Sequence, residues 1–449
     1  MKKGLFSVLT LASVAACQPR EGTLVNFAHL QHLTQRIILN DEPVSIVHVY
    51  ADFPNYHWVD AAGEGIACVD DAARAAVVYL RAFELRRDTA SLASAGALLR
   101  FVMAMQAADG EFYNFLLHDR TINRDGKTSC KSFGWWAGRA VWAMALGYRV
   151  MKDAYPAIAE ELGKRVRRSL PHVDALVQKH GDTRKVQNFR IPEWLLYESG
   201  SDATAELVLG LIEFYRVTGD EQVKAQIRKL AEGMMVMQDG DIRTFPYGAH
   251  RSWETVWHAW GNGQTQALAT AGQEFADTVM IQSAEREACG FYSRLLIRGF
   301  LKEWDFMEPR RKTEFEQIAY GIRPMAVGLL RLYDATGNQE YLKMAGLAAS
   351  WFFGNNILRA RIYDSATGRC FDGIRDSITI NRNSGAESTI EALYTLLEIE
   401  QYPLARRYLS FHRSESQESG DMMTAAFRND QGDSLTLSLD LRTGALFVR

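Results

Sequence analysis

The sequence predicts an all-α protein, built as an (α/α)6 toroid or barrel of six helical hairpins, with a small β-hairpin at the carboxyl end. Three observations predict this fold. Apolar residues recur with helical periodicity through most of the chain, and strand-like alternation is almost absent before its end. Similar helix–turn–helix segments recur at long spacing. Alternate helices also begin with segments that are rich in glycine, aromatic and ionisable residues.

Twelve amphipathic segments follow one another, and a short thirteenth lies near 402–412. The twelve lie near 24–39, 71–86, 89–108, 132–151, 154–179, 202–217, 220–238, 254–273, 276–301, 315–336, 338–354 and 386–400. The stretch 424–439 alternates apolar and polar residues around a polar turn and is predicted to form the β-hairpin. We therefore expect a barrel over 18–415 and a β-hairpin appendage over 416–449.

Three turns repeat one pattern, at 83–89, 215–221 and 333–339. In each, a helix ends, a tight polar turn follows, and a second amphipathic helix begins. Weak self-similarity at this long period predicts stacked helical hairpins. If the helices alternate between an outer and an inner ring, the inner helices begin at one end of the toroid.

The starts of alternate helices are rich in glycine, aromatic and ionisable residues. These six starts lie at 63–71, 131–136, 199–202, 252–258, 316–324 and 381–387. The intervening helices begin without such residues. Six such starts at one mouth predict a concave, aromatic-lined pocket that carries acidic groups.

The composition excludes some functions and favours a soluble globular fold. The chain has 449 residues, of which 47% are hydrophobic and 23% charged, and its net charge of −3 provides no electrostatic basis for binding nucleic acid. Beyond residue 17 the four cysteines form no C-x-x-C pair, which argues against a zinc ribbon or a thioredoxin-type site. No metal, cofactor or nucleic-acid partner is expected.

The first 17 residues have the layout of a bacterial lipoprotein signal. Lys2 and Lys3 precede an apolar segment too short to span a bilayer, and the small residues before Cys17 resemble a lipobox. The sequence thus predicts an exported lipoprotein, attached to the membrane only through lipid on Cys17. Gln18 resembles the residue that sorts such proteins to the outer membrane. The alternative is an ordinary signal peptide that ends near Ala16.

Several blocks resemble a known group of all-helical proteins. The segment 69–75, Val-Asp-Asp-Ala-Ala-Arg-Ala, resembles the DDNARA signature of largely uncharacterised proteins of bacterial glycan metabolism. Blocks 110–120, 138–143, 364–373 and 381–389 are similar to later blocks of that family, in the same order. The broader group resembled is the six-hairpin glycosidases, which implies a sugar-chain substrate. One departure is 132–136, where relatives carry an acidic pair and this chain has Ser-Phe-Gly-Trp-Trp.

Glycoside hydrolysis needs two carboxyl groups that face the scissile bond. The candidates at the predicted mouth are Asp70, Asp71, Asp372, Glu387 and Glu254. The adjacent pair has a structural alternative, because aspartate commonly caps a helix start. Asp202 and Glu387 have a similar alternative, as a cap or a helix-start charge. Asp372 lies in a glycine-flanked loop with no helix of its own to cap.

Further residues near these motifs are candidates for substrate binding. They are Glu64, Arg74, Asn114, Trp135, Trp136, Arg139, Trp253, Trp257, His258, Asn381 and Asn383. Tryptophan rings can stack on sugar faces, although about half of these are expected to pack in the core instead.

The sequence favours a glycoside hydrolase that acts on an oligosaccharide or polysaccharide. A polysaccharide lyase is the leading alternative, with His250, Arg251 and Tyr247 as its base and carboxylate-binding groups. A sugar epimerase on the same fold and a non-catalytic surface glycan-binding lipoprotein also remain open.

Overall fold

The computed structural model describes residues 22–449, so the predicted signal peptide and Cys17 lie outside the described residues. Fourteen α-helices form the frame of this part of the chain. They are α1 (Ala28–Leu33), α2 (Val69–Arg86), α3 (Thr89–Ala104), α4 (Trp135–Met151), α5 (Pro156–Gln178), α6 (Ser201–Thr218), α7 (Glu221–Val236), α8 (Gln264–Phe275), α9 (Thr278–Glu287), α10 (Ser293–Arg298), α11 (Arg323–Thr336), α12 (Gln339–Ala349), α13 (Ala386–Ile399) and α14 (Pro403–Arg407). A π-helical segment (Ala288–Tyr292) joins α9 to α10, and 3-10 turns lie at Ala319–Gly321, Ser350–Phe353 and Tyr408–Ser410.

Six helices form a closed inner ring: α2, α4, α6, α8, α11 and α13. Each packs against the next, and α13 packs against α2 to close the ring. The outer positions are filled by α3, α5, α7, the α9–α10 pair and α12, each packed on the inner ring. The sixth outer position is shared by α14 and α1, which both contact α13. The structure is therefore the (α/α)6 barrel that the sequence predicts.

Four of the inner helices pass to their outer partners through turns of one design. The residue after each inner helix has a positive φ, and the residue after that caps the outer helix with a side-chain oxygen. The pairs are Arg87–Asp88, Gly219–Asp220, Ala276–Asp277 and Gly337–Asn338. A left-handed residue stops the first helix, and the capping oxygen accepts a free amide of the second. Three of these turns, at Arg87, Gly219 and Gly337, are the ones that repeat a common pattern in the sequence.

Burial separates the two rings. Every residue of α6 from Ser201 to Ile212 is buried, because this helix has neighbours on both sides and its outer partner behind it. In contrast, α5 buries a single stripe whose members recur three or four residues apart through much of the helix. Within residues 22–449 no helix combines the length and apolar content needed to cross a membrane.

Short strands also lie between the helices, which the sequence analysis did not anticipate. They are β1 (Thr34–Leu39), β2 (Glu42–Val47), β3 (Tyr50–Asp52), β4 (His57–Val59), β5 (Ala67–Cys68), β6 (Phe115–Leu116), β7 (Thr183–Val186), β8 (Phe189–Pro192), β9 (Val256–His258), β10 (Glu303–Asp305), β11 (Lys312–Thr313), β12 (Gln317–Ile318), β13 (Tyr363–Asp364), β14 (Arg369–Cys370), β15 (Gly373–Ile374), β16 (Ile380–Asn381), β17 (His412–Ser419), β18 (Met422–Arg428), β19 (Ser434–Asp440) and β20 (Leu446–Val448). Most pair antiparallel in sheets of two or three strands, over the loops that connect the hairpins.

The helix predicted over 24–39 is wrong beyond Leu33. There the chain forms the hairpin β1–β2, in which Ile37 and Leu39 are buried and alternate with exposed residues. Asn40 and Asp41 both have positive φ, which is the geometry of a two-residue hairpin turn. The β-branched residues and the Asn-Asp turn were the signal in the sequence for this hairpin.

The helix predicted over 254–273 begins later, at Gln264. The residues before it form a turn and strand β9, which pairs with β10. Gly261 has a φ of 79°, in the left-handed region, so the helix cannot extend backwards through it. Similarly, α11 begins at Arg323 and follows β12 rather than starting at 315.

The carboxyl end forms a four-stranded antiparallel sheet rather than an isolated hairpin. The predicted hairpin corresponds to β18 and β19. Met423, Ala425 and Phe427 alternate with more exposed residues on β18, and the same alternation continues on β19. This apolar face contacts α10, and β20 contacts α12. The sheet begins at His412, earlier than the boundary expected at 416.

Candidate active site

A cavity of about 360 Å³ lies at the amino-terminal ends of the inner helices. Its walls come from the first turns of α2 and α13, the segment around β12, and the loops that precede these helices. Five carboxylic acids and one arginine line it: Asp70, Asp71, Glu316, Asp372, Glu387 and Arg74. We call it the carboxylate cavity. Four of the five predicted catalytic acids thus lie together, and Glu254 does not.

The adjacent aspartates do not cap α2. The N-cap is Cys68, whose Sγ accepts the backbone N–H of Asp71 at 3.4 Å and donates to the Asp71 carboxylate at 3.2 Å. Asp70 and Asp71 therefore lie inside the first turn, where the helix dipole favours negative charge. Because Cys68 is the N-cap, helix capping does not explain why two aspartates occur at this position.

Arg74 is the centre of the charged groups in the cavity. Its side chain is 5% exposed and lies 2.7 Å from Asp71, 3.2 Å from Glu387 and 3.1 Å from Glu391. A longer contact of 3.9 Å reaches Asp70. One guanidinium group therefore joins the start of α2 to the start of α13, and its bonds to carboxylates fix the positions of these acids.

A buried network of polar and charged side chains joins all six inner helices, and it reaches the cavity through Arg74, which bonds Glu391. Arg323 of α11 bonds Glu206 of α6 at 2.7 Å, Glu391 of α13 at 2.7 Å and Gln266 of α8 at 3.0 Å. The ring of Tyr320 lies 5.0–5.3 Å from the guanidinium carbons of three arginines, which are those of α2, α4 and α11. The six inner helices therefore meet in one network near their starts, whereas only three of the six predicted segments, 63–71, 316–324 and 381–387, contribute lining residues to the cavity.

The pKa values of the adjacent aspartates move in opposite directions. Burial raises the pKa of Asp71 to about 6; Arg74 opposes this rise, and the negative charges of Asp70 and Glu387 add to it. Burial also acts to raise the pKa of Asp70, but the charges of Arg139 and Arg74 outweigh it and lower that pKa. Arg139 lies 2.5 Å from Asp70. The site thus holds one ionised carboxylate beside a carboxyl group that keeps its proton to higher pH.

Asp372 lies on the opposite wall and supports the start of α13. Its Oδ1 accepts the backbone N–H of Gly385 at 2.8 Å and the hydroxyl of Ser388 at 2.7 Å. Gly385 is the N-cap of α13, so Asp372 stabilises the start of that helix from a loop. The sequence did not indicate this structural role. Burial raises the pKa of Asp372, against these two hydrogen bonds, and the charges of Glu387 and Glu316 raise it further.

The predicted polar binding residues divide into two groups. Asn114 and Asn381 line the carboxylate cavity, and Asn114 also accepts the N–H of Asp70 at 3.3 Å. Glu64 and Asn383 are not among its lining residues. Asn383 bonds Asp52 at 2.8 Å and holds the loop at β3. Glu64 accepts a hydrogen bond from Thr128.

Beside the cavity lies an aromatic cluster around a buried dyad. His258 Nε2 is 2.8 Å from Asp202 Oδ2, and both side chains are almost fully buried. The His258 ring is 3.8 Å from that of Trp260 and 4.3 Å from that of Trp253. His258 Nδ1 is buried without a hydrogen-bond partner in the described chain. Burial raises the pKa of Asp202, against the hydrogen bond from His258.

Two tryptophans, Trp135 and Trp136, lie in the first turn of α4. Trp135 is partly exposed and stacks under Arg139 at 4.9 Å, and Arg139 in turn pairs with Asp70. Trp136 donates its indole N–H to Phe112 at 2.8 Å. Trp257 is 1% exposed and packs against Phe291, so it belongs to the core and cannot stack on a sugar.

Glu254 lies away from the cavity. Its side chain is 48% exposed and pairs with Arg184 on β7, so Glu254 does not lie with the other predicted catalytic acids. The reason is the late start of α8, since the residues before it form a surface loop and β9 instead of a helix that opens at the mouth.

The proposed base of a lyase is also out of place. His250 is fully buried and is held by Glu287 at 2.7 Å and Ser283 at 3.0 Å. Arg251 is equally buried and bonds Asp239 at 2.7 Å. Tyr247 stacks against Arg294 at 4.0 Å. None of the three lines the carboxylate cavity.

Sequence reasoning missed several parts of the site. Glu316 lines the cavity, and Tyr320 and Arg323 belong to the buried network that Arg74 joins to it. All three lie in the segment 316–324, whose composition marked it in the sequence as a helix start at the predicted mouth. The sequence analysis did not single out these three residues within that segment. Tyr50 lines the rim and follows no such motif. Within residues 22–449 no three His, Cys, Asp or Glu side chains are grouped to hold a metal ion.

Comparison with known proteins gives structural relatives only. No protein-family model matches the sequence, and no curated protein is significantly similar to it. The fold matches that of cellobiose 2-epimerase from Bacillus thermoamylovorans, with 13% identity over 81% of this chain and 94% of that one, at a TM-score of 0.59. D-mannose isomerase matches at a TM-score of 0.55, with 10% identity over 79% and 91% of the two chains. These proteins share the fold of this chain.

An α-1,6-mannanase of Salegentibacter sp. is also similar in fold. Its structure is a variant inactivated by replacing two consecutive aspartates, in complex with α-1,6-mannotetrose. The match has 12% identity over 79% of this chain and 93% of the other, at a TM-score of 0.50. The identities of all three matches are low, so the relationship that they establish is one of fold.

Proposed function

We propose that this protein is a carbohydrate-active enzyme that hydrolyses glycosidic bonds in the carboxylate cavity. The supporting observation is the pair Asp71 and Glu387, two carboxyl groups on neighbouring inner helices that bind the same guanidinium group. Asp71 is the general acid, because its raised pKa of about 6 lets it carry a proton near neutral pH. Glu387, half-exposed and paired with Arg74, is the carboxylate that activates water or attacks.

The proposed reaction divides the work between these two groups. Asp71 gives its proton to the glycosidic oxygen as the bond from that oxygen to the anomeric carbon breaks. Glu387 supports the attack on that carbon, and water finally supplies the new hydroxyl group. Asp70 stays ionised beside Arg139 and orients the first turn of α4, and Asp372 and Glu316 are placed to accept hydroxyl groups of the sugar.

The structural relatives support a glycan substrate for the proposed enzyme. The mannanase is described as inactive when two consecutive aspartates are replaced, and it binds a mannotetraose. This chain also carries two consecutive aspartates, Asp70 and Asp71, in its cavity. The resemblance of the segment 69–75 to the DDNARA signature supports the same class of substrate, an oligosaccharide or polysaccharide.

The charges of the cavity disfavour the lyase alternative. A lyase must bind the carboxylate of a uronic acid with a cation, and Arg74 is the one arginine among the lining residues. Its guanidinium group already contacts four carboxylates within 4 Å. A uronate would add a further negative charge to a cavity that has five acids. Both ring nitrogens of His250 are also engaged, by Glu287 and Ser283, so we do not retain this alternative.

A sugar epimerase is the second candidate, and a specific observation favours it. Epimerisation beside a carbonyl group needs a base that removes a proton from carbon. The dyad of His258 and Asp202 has the form of such a base, since the carboxylate fixes one ring nitrogen and leaves the other unpaired. The fold matches to cellobiose 2-epimerase and D-mannose isomerase agree with this candidate.

One assay separates the candidates. Purified protein is incubated with neutral and acidic oligosaccharides, and three quantities are followed: reducing ends, ultraviolet absorbance of unsaturated products, and sugar identity at constant chain length. A hydrolase raises the number of reducing ends alone. An epimerase changes sugar identity without shortening the chain. Unsaturated products would support the lyase alternative. Glycan binding without any product would support a non-catalytic glycan-binding lipoprotein.

Two variants assign the activity to a site. Glu387→Gln should abolish cleavage and leave epimerisation unaffected, and His258→Asn should do the reverse. Glu254→Gln is the matched control, since it removes a carboxylate that lies on the surface. Equal loss of cleavage in the control and in Glu387→Gln would contradict the assignment of the site.

We also propose that the protein is exported and lipidated on Cys17, and that it resides at the bacterial outer membrane. The proposal rests on the charged start, the short apolar segment and the residues around Cys17. A lipid anchor would leave the barrel free in the aqueous phase, where large glycans can reach its mouth.

A further inference from the structure

A second cavity lies between the barrel and the carboxyl-terminal sheet. Its volume is about 350 Å³. The walls come from the end of α10 with the loop that follows it (295–301), the segment 312–317, the loop 355–359 and the first residues of β17 (413–416). Four cationic side chains line it: Arg298, Lys312, Arg359 and Arg413. We call it the arginine groove.

Arg413 is held in place by neutral partners. Its Nη1 donates to the carbonyl of Ile297 at 2.8 Å, and its backbone N–H donates to Asn355 at 2.9 Å. The guanidinium group lies against Gly299, where an added Cβ would come within 3.4 Å of Nη2. Because Gly299 also has a φ of 125°, the close approach of backbone and guanidinium depends on glycine at this position.

Arg359 lies beside Arg413 in the arginine groove. The guanidinium group of Arg359 donates to the backbone carbonyl of Arg413. In the part of the chain that the structure describes, neither arginine forms an ion pair with a carboxylate, whereas Arg298 pairs with Glu418 at 2.7 Å. Burial lowers the pKa of Arg413, and the charge of Arg359 lowers it further. Two neighbouring positive charges thus lack a counter-ion.

The other charged groups of the groove do not neutralise this pair. Glu314 and Glu415 are exposed lining residues, and Glu314 is only 3.8 Å from Lys312, so the two partly offset each other. Glu415 has no ion pair within residues 22–449. Net positive charge inside a concave, partly buried wall attracts anions from solution.

The arginine groove and the carboxylate cavity share one wall. From Phe315 to Ile318 the lining alternates: Phe315 and Gln317 line the groove, whereas Glu316 and Ile318 line the carboxylate cavity. Such alternation is expected for an extended segment, whose successive side chains point to opposite faces. A ligand group in the groove would therefore lie one strand away from the proposed active site.

We propose that the arginine groove binds an oxyanion, a phosphate, sulfate or carboxylate group, between Arg359 and Arg413. Guanidinium groups present planar arrays of donors that match the oxygens of such anions, and an anion supplies the missing counter-charge. The group can come from a free anion or from a charged substituent on a glycan. The proposal stands independently of the reaction in the carboxylate cavity.

Titration calorimetry of the full mature chain tests it. Inorganic phosphate, sulfate and a sulfated disaccharide are titrated at constant ionic strength set with chloride, and the unsulfated disaccharide serves as a blank. The wild type should bind the three anions, and Arg359→Gln and Arg413→Gln should each weaken binding about tenfold or more, which is the scale of a lost charge-assisted hydrogen bond. Arg442→Gln, at an exposed arginine in the turn between β19 and β20, is the matched control and should bind within about twofold of wild type.

The outcomes separate clearly. Tighter binding of the sulfated disaccharide than of sulfate supports a glycan substituent as the source, and equal binding supports a free anion. Equal affinity of the wild type and the Arg359→Gln/Arg413→Gln double variant overturns the proposal, as does an absence of binding. Arg359 is exposed, so Arg359→Gln tests the site even if Arg413→Gln fails to fold.

Discussion

At the residue scale, the environment separates two chemically identical neighbours. Asp70 and Asp71 differ because one faces Arg139 at 2.5 Å, whereas the other is almost fully buried against Cys68 and Arg74. A carboxyl group with a raised pKa beside one with a lowered pKa is the arrangement from which acid–base roles arise. The adjacent acids in the sequence indicated this site. Their separate roles as acid and as ionised carboxylate depend on residues that are distant in the sequence and close in the structure.

The first prediction concerns turnover. Asp71→Asn and Glu387→Gln should each lower kcat for glycan hydrolysis by about a thousandfold, because each removes an acid or base while keeping side-chain shape. Circular dichroism should show folded protein in both cases. Glu254→Gln should keep its activity, since its carboxylate lies on the surface. Full activity in both site variants would refute the proposed mechanism.

The second prediction concerns pH. Asp71 must be protonated to act as an acid, so the rate should fall as pH rises above about 6, the pKa of this group. The residual activity of Asp71→Asn should lack that limb. The measurement is kcat/KM from pH 4 to 9. A falling limb that persists unchanged in Asp71→Asn would assign it to another group.

The same pKa has a consequence for stability. Because the pKa of Asp71 in the folded state lies above that in the unfolded state, the folded state binds the proton more tightly between about pH 4 and pH 6. The contribution of Asp71 to the free energy of unfolding is therefore largest at low pH and falls by about 3 kcal/mol across that interval. Urea unfolding of wild type and Asp71→Asn at both pH values measures this difference, and a constant difference would contradict the burial of this charge.

At the element scale, three inner helices, α2, α11 and α13, carry buried ion pairs near both ends. The far end has its own buried group, in which Glu398 is paired with Arg81 at 2.7 Å and also with Arg331. Burial acts to raise the pKa of Glu398, but the charges of the two arginines outweigh it and lower the pKa to about 2. This cluster joins α2, α11 and α13 and closes the barrel opposite the mouth.

A third prediction follows for this cluster. Glu398→Gln should lower the free energy of unfolding by about 3–5 kcal/mol at pH 7, because it leaves buried arginines without a counter-charge. Since the folded-state pKa is depressed, the stabilisation is present above about pH 4.5 and is lost as pH falls towards 2. The difference between wild type and variant in urea unfolding should shrink over that interval. Glu160→Gln, which replaces an exposed residue of α5, is the control and should have little effect at any pH. An equally small effect of Glu398→Gln would show that the buried pairs do not stabilise the fold.

At the scale of the whole molecule, closure of the ring creates the site. The starts of six inner helices, far apart in sequence, meet in one network through Arg74, Arg139 and Arg323. The carboxyl-terminal sheet adds a second cavity that borders the first through the segment 314–318. The proposed function needs both the barrel and the loops at its mouth.

The fourth prediction concerns the location of the whole protein. Expression in a bacterium supplied with labelled palmitate should label the wild type and leave Cys17→Ser unlabelled, because Cys17 is the proposed site of acylation. Membrane fractionation should then release the Cys17→Ser variant into the soluble fraction. Equal labelling of both proteins would end the lipoprotein proposal.

The sequence by itself determined the barrel, its repeated turns and most of the acids at its mouth. Helical periodicity and capping are local, so they can be read from neighbouring residues such as Asp220 and Asn338. The tertiary structure alone decided which candidates meet. Glu254 was separated from the site by a strand and a glycine before α8, whereas Glu316 was brought into it by a segment between two helices. Side-chain position and pKa depend on contacts between residues hundreds of positions apart, as between Arg74 and Glu387, and no local pattern encodes those contacts.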